Sequence, residues 1–329
     1  MKREHMATTL PAVIGFIRSV PHVRRVCFEE GPLAGWLYRG LRQEADELVV
    51  CDPRRNAYVG KDGDKDDAID AEKLNDLFRS RMIRVVHQND SVERAGFKQL
   101  VGAYHAAVRR RVSQANQLMG LAKRWGLLWN TAMLLEAKAK TSLKEKMKGA
   151  GAGECVQAIV ELLAEGVGQA AEVEEALEQR LRTIARGDEL MKRLMELPGY
   201  GAIRAVTLVA YLDTPWRFKS REALWKYCGI GLHRAGSGDG PEFLAVEQQC
   251  NRTLRGVVIG AAQKVIQEVK EDEDEPNVFA RRYARWIKQG VSPRNARRNV
   301  ARLMTTTAWA MWKSGQSFCP EWIEKTSGG

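Results

Sequence analysis

The hydrophobic pattern changes character once along the chain, and that change limits the folds open to it. In the N-terminal segment, short apolar runs alternate with helical spacing: a helix over Leu10 to Ser19, an apolar run ending in VCFE at Glu29, a helix over Leu33 to Arg42, then ELVVCDP. Apolar runs bounded by polar or Gly/Pro punctuation and separated by a helix predict a parallel sheet, whose ligands gather at the carboxyl ends of its strands. From about Val92 the strand character fades. Long helical stretches follow, over Phe97 to Trp125 and, after the linker KGAGAG, over Glu154 to Glu196. Ile159, Leu162, Leu163, Val167, Leu177, Leu181 and Ile184 recur near helical spacing, which predicts a coiled-coil or bundle arm, a plain spacer being the alternative. Beyond Leu194 comes a further helical region interrupted by LPGYG, DTPWRF and AGSGDGP. The expected fold is therefore mixed. It comprises an α/β domain over residues 1–90, a helical arm over 91–193 and a mainly α domain over 194–329.

Charge enters because of where it lies. The formal net charge is +11, and between Asn277 and Pro320 nine basic residues (Arg281, Arg282, Arg285, Lys288, Arg294, Arg297, Arg298, Arg302, Lys313) face no acidic one. A field of one sign attracts polyanions, so nucleic acid is the natural partner, with a merely solvated basic face as the alternative. The six cysteines form no C-x-x-C pair and the five histidines do not sit at ligand spacing beside them, which argues against a zinc site and for a reducing compartment. No stretch approaches the roughly 18 consecutive apolar residues of a membrane span, and the first residues hold too short an apolar segment for a signal peptide. A cytoplasmic protein without membrane contact is expected.

Several constellations are able to carry chemistry. In KDDAIDAEKLNDLF, Asp67 and Asp70 stand three apart on a predicted helix, and Leu74 and Leu77 extend the same face. Paired carboxylates continuing an apolar stripe are costly to bury, and a divalent cation such as Mg²⁺ would compensate; acids suiting a helix N-terminus are the plainer reading. Glu29 or Glu30 ends the VCFE strand, with Glu29 favoured because it follows the apolar run directly. LPGYGAIRAVTLVAYL resembles a helix-hairpin-helix element, in which Gly199 and Gly201 would let backbone N–H groups approach a phosphate, with Arg204 beside them. In ALWKYCGIGLHRAGSGDG, Ser237 lies between two glycines, with Arg234, Arg252 and Arg255 near in sequence. A serine attacking a phosphodiester needs such a cationic surround, whereas no His/Asp pair accompanies it for protease or esterase chemistry. Alone, the tripeptide is an ordinary turn. Together with the hairpin, Arg204, Arg234, Arg252, Arg255, Arg281, Arg282, Arg294, Arg297 and Arg298 make up the candidate nucleic-acid-binding set.

Taken in order, FEEG, CDPRRN, GDKDDAIDA, LPGYGAIRAVTLVA, F-x-S-x-x-x-L-W-K-Y-C-G-I-G and R-A-G-S-G resemble the insertion-sequence 110 family of transposases across nearly the whole chain. The resemblance implies a metal-dependent DEDD domain similar to a ribonuclease-H-like, RuvC-like Holliday-junction resolvase, a coiled-coil arm, and a serine domain that recombines DNA. It implies that Ser237 forms a covalent phosphoserine link to DNA while Glu29, Asp67 and Asp70 hold Mg²⁺ near it from a partner subunit. It further implies a structured noncoding guide RNA and a homo-oligomer, dimer or tetramer. The family's pattern begins with a strand of the form apolar-Gly-apolar-Asp, and nothing before Glu29 supplies that Asp. The expectation is that the first strands of the sheet are absent, which bears on metal binding. Two other readings accord with parts of the chain. One is a truncated relative that binds nucleic acid without catalysis, and the other is a junction-binding or repair nuclease that leaves the Ser237 segment unexplained.

Overall fold

The structure, a computed structural model, describes residues 4–53, 67–128, 139–235, 243–267 and 277–325; at 67–69, 139–140, 233–235, 243–245 and 325 it describes the backbone alone. The chain divides into two compact units, residues 1–97 and 98–329.

The first unit is built on two parallel strands, β1 (Arg25–Glu29) and β2 (Glu47–Cys51), in which Val26 faces Leu48, Phe28 faces Val50 and Glu29 faces Cys51. Their β-branched and aromatic residues suit a pleated, covered surface. A parallel pair needs a crossover, supplied by helix α2 (Ala34–Leu41), which packs on β2. Helix α1 (Leu10–Arg18) has Pro11 in its first turn, where the missing N–H costs nothing, and packs on α2. Helix α3 (Asp67–Arg79) packs on β1 through a face that buries Leu74. The chain then returns to the sheet, where Val85 bridges Cys51 in antiparallel sense.

The second unit is helical apart from one ribbon. Helices α4 (Val92–Arg124), α5 (Ala139–Gly149) and α6 (Glu154–Gly187) pack through a cluster of Leu118, Ala122, Leu143, Met147, Ala152 and Val160. Arg111 and Glu174 join α4 to α6 by two hydrogen bonds of 2.6 and 3.1 Å, with both side chains largely out of solvent. The seam differs from the predicted stripe. Val160, Val167, Ala170, Leu181 and Ala185 are buried, whereas Ile159 and Leu162 are 45% and 69% exposed. Adjacent helical positions are about 100° apart, so once Val160 occupies the seam its neighbour Ile159 faces away. A second departure is a break in the predicted Glu154 to Glu196 helix. Asp188 adopts an extended conformation (φ −108°, ψ 123°), and its carboxylate accepts from Met191 N at 2.9 Å, capping a separate helix, α7 (Glu189–Met195).

Beyond α7 come α8 (Ala202–Leu212), a 3₁₀ turn (Pro215–Arg217), α9 (Arg221–Tyr227), strands β3 (Leu232–Ala235) and β4 (Phe243–Val246), and helices α10 (Arg252–Gln267), α11 (Val278–Lys288), α12 (Pro293–Ser314) and α13 (Glu321–Lys325). Their shared core includes Leu194, Leu208, Leu212, Leu224, Leu254, Phe279, Val300 and Met304. Helix α12 is central to it: it starts at Ser292 and Pro293, packs against α7, α9, α10 and α11, and stops at Gly315, whose left-handed φ of 70° lets its N–H reach Met311 O. The predicted mixed α/β character holds, with a small parallel sheet in a largely helical chain. No helix among the described residues is long and apolar enough to cross a membrane.

Candidate nucleic-acid interface

The hairpin between α7 and α8 separates the roles of its two glycines. Gly199 has φ +78°, and a Cβ there would lie 2.8 Å from both Ala261 O and Val265 Cγ1 of α10. Its missing side chain therefore lets the hairpin pack on the core. Gly201 caps α8 and is exposed, and a Cβ there would meet nothing within 4 Å, so the first N–H groups of α8 stay approachable. Arg204 turns back on the hairpin, donating from Nη1 to Gly199 O at 2.6 Å. This hydrogen bond makes it a brace of the turn, a role that sequence spacing alone does not suggest.

The C-G-I-G segment forms the turn from α9 into β3. Ile230 N and Gly231 N both donate to Trp225 O at 2.9 Å, and Glu247 N donates to Gly231 O at 3.3 Å where β4 leaves. Gly229 has φ +66°, and a Cβ there would meet Cys250 Sγ at 2.5 Å and Arg255 Cδ at 3.0 Å. From α12, Arg302 Nε donates to Ile230 O at 2.7 Å and Nη1 to Asn299 Oδ1 at 3.1 Å, while its guanidinium lies 5.6 Å from the centre of the Trp225 ring. Trp225 is itself fixed by an Nε1–H donated to Thr306 Oγ1 at 2.9 Å. The ribbon's base is thus held by α9 and α12 together.

Strands β3 and β4 pair antiparallel from Leu232 opposite Val246 to Ala235 opposite Phe243, with Arg234 opposite Leu244. Ser237 follows β3 in the sequence and lies outside the described residues, as does the side chain of Arg234. The nearby Cys228 is buried, and that burial together with Cys250 pushes its thiol up to about 12. It stays protonated at neutral pH and is no nucleophile there.

The basic residues of the C-terminal region divide by their partners. Arg281 pairs with Glu324 and Arg282 donates to Ile323 O, so both fasten α13 to α11. Burial, and then the neighbouring Arg285, hold the Arg282 guanidinium below its ordinary range. Arg252, at the start of α10, and Arg294, in the first turn of α12, are exposed; Arg255, Arg297 and Arg298 are half-buried. Arg298 donates to Asn295 Oδ1 at 2.9 Å, and among the described residues none of these five forms an ion pair.

In the first unit, Glu29 is exposed at the carboxyl end of β1, and Glu30 N donates to Cys51 O just beyond it. Asp70 is half-buried one turn into α3; Asp67 begins that helix, its side chain outside the described residues. No described Lys or Arg pairs with Glu29 or Asp70. Their hard oxygen donors are of the kind Mg²⁺ takes, although no group of three His, Cys, Asp or Glu able to hold a metal occurs among the described residues. Beside Glu29, burial and the adjacent Cys51 raise the Cys27 thiol to about 12, which makes it an unsuitable thiolate ligand.

Residues 191–275, which include the hairpin, the C-G-I-G turn and the ribbon, match the family described as Transposase IS116/IS110/IS902. This stretch of the chain is similar to that transposase family. The chain is 24% identical over 257 residues to the y4pF/y4sB transposase of Sinorhizobium fredii, covering 77% of this chain and 64% of that protein. It is 22% identical over 256 residues to the transposase for insertion sequence element IS1111A of Coxiella burnetii, covering 75% of this chain and 66% of that one. A family 20 transposase of Pseudomonas aeruginosa is 24% identical over 301 residues, with 90% and 85% covered. The chain thus aligns with just under two thirds of the length of the first two relatives.

Proposed function

We propose that this chain is a DNA transposase that cuts and rejoins strands through Ser237. The observation that carries the reading is the family match over residues 191–275, which spans Ser237 and the ribbon leading to it. In the reaction, Ser237 Oγ attacks a phosphorus of the DNA backbone. One P–O bond to serine forms as the P–O bond to the departing sugar oxygen breaks, and that oxygen takes up a proton. Attack on the phosphoserine by a sugar hydroxyl of another strand reverses the exchange. Phosphodiester bonds are conserved throughout, so the step consumes no nucleotide. An arginine beside the segment would neutralise the charge on the transferring phosphoryl group, Arg234 by its place on β3.

Glu29, Asp67 and Asp70 would hold a divalent cation, Mg²⁺ by the hardness of their oxygens, and it would supply charge neutralisation at a phosphoryl oxygen. The β1–β2 pair with its crossover helix is compatible with a resolvase-like sheet, and the α7–α8 turn with a helix-hairpin-helix whose exposed N-terminus at Gly201 grips a phosphate. A structured noncoding RNA as guide and a homo-oligomeric assembly belong to the same proposal and rest on the sequence resemblance.

The experiment is a strand-transfer assay with radiolabelled DNA, read on a denaturing gel. The parent chain is expected to form a covalent protein–DNA adduct and Ser237→Ala to form none. An adduct that persists in Ser237→Ala overturns the assignment.

A further inference from the structure

We propose that Arg255, Arg294 and Arg298 form a discrete site for a DNA backbone phosphate, pinned by Arg302 to the base of the β3–β4 ribbon. The proposal rests on the reading that this chain handles DNA, and goes beyond it by dividing the arginines into a ligand site and structural braces. Arg294, Arg298 and Arg302 recur at i, i+4 and i+8, so they share one face of α12. Arg255, on α10, passes its stem over Gly229, where any side chain would obstruct it, next to Ile230 whose carbonyl accepts from Arg302. Helices α10 and α12 pack directly on one another.

These guanidiniums are near enough to disturb one another. Arg298 is held below its ordinary range by burial, then by Arg294 and Arg255, and Arg302 by burial, then by Arg298. Like charges on neighbouring helical turns oppose folding unless something answers them. Elsewhere the chain provides an answer: Arg18 has Glu44, Arg111 has Glu174, Arg182 has Glu178 and Arg281 has Glu324. No described carboxylate answers Arg255, Arg294, Arg298 or Arg302. Donors also outnumber acceptors here, since the buried Nη2 of Arg302 has no hydrogen-bond partner among the described residues.

Planar guanidiniums fork onto phosphate oxygens, and three of them borne on two helices packed together suit a tetrahedral anion. Arg302 differs in function, because its contacts with Ile230 O, Asn299 and Trp225 leave it as the strut that fixes the cluster relative to β3. A phosphate bound by the other three would set the register of the DNA strand against the segment that follows β3.

The test measures binding of the full chain to a fluorescein-labelled duplex of about 30 base pairs as salt is raised, since each lost phosphate contact lowers the slope of log K against log salt by about 1. Arg255→Gln/Arg298→Gln is expected to bind about tenfold more weakly, with a slope reduced by about 1 and equally for unrelated duplex sequences. Arg298→Lys should keep most of the slope, and Arg182→Gln, on the arm, should keep all of it. Should the double variant fail to give the parent circular dichroism and melting curve, the exposed Arg294→Gln gives the same reading without disturbing packing. A parental slope in Arg294→Gln and in the folded double variant overturns the site. Loss of affinity for single-stranded RNA with duplex binding intact overturns DNA as its ligand. The serine chemistry is judged separately: a reduced slope in a chain that forms no Ser237 adduct leaves the phosphate site standing and removes the transposase mechanism.

Discussion

Gly199 shows what a single residue decides in this molecule. Its sequence context, between Pro198 and Tyr200, suggests a backbone loosened for phosphate contact, but its position faces inward, against Ala261 O and Val265. Gly199→Ala would combine a left-handed backbone with a clash against main chain, and should lower stability by about 2–4 kcal/mol in urea unfolding. Gly201→Ala, with φ −84° and open space around it, should cost no more than about 1 kcal/mol. Equal losses for the two would contradict the division of roles. The pattern P-G-x-G makes the turn legible; only the neighbouring helix α10 assigns one glycine to the core and the other to the surface. Arg302 is similarly legible as one basic residue among nine, and its bond to Ile230 O singles it out.

At the scale of elements, spacing predicts where helices lie better than which side of them is buried. The helix over α6 is plain in the sequence, yet its seam runs through Val160 and Val167 with Ile159 and Leu162 outside, because packing against α4 and α5 selects among several apolar stripes. The Arg111–Glu174 bridge fixes that choice from the polar side, as two long side chains nearly out of solvent in bidentate geometry. A double-mutant cycle with Arg111→Ala and Glu174→Ala should give a coupling of about 1–3 kcal/mol, with each single change costing nearly as much as the two together. A coupling near zero would mean the pair is a surface contact of little consequence. The break at Asp188 escapes periodicity for a related reason: an acid inside a helical pattern reads as a solvated position, and its capping role depends on the backbone turning extended there.

At the scale of the whole molecule, a half-buried histidine contact links stability to pH. His105 on α4 donates from Nε2 to Thr207 Oγ1 at 2.9 Å, since the buried Thr207 hydroxyl gives its own proton to Ile203 O. Burial first, and Arg109 second, lower the His105 pKa from its ordinary value. The unfolded chain then binds a proton that the folded chain resists, so this contribution is intact above the unfolded value of about 6.5 and declines as pH falls through the window below it. Melting curves between about pH 7.5 and pH 5 should show stability lost on acidification, and His105→Gln should flatten that dependence. An unchanged pH dependence in the variant would remove His105 from the account. The amino-acid sequence by itself determined the mixed class, most helices, the two parallel strands and the basic C-terminal region, because these follow from local periodicity and composition. Tertiary structure alone decided which arginines brace the protein and which remain unanswered in charge, because that depends on carboxylates and carbonyls brought close from distant parts of the chain.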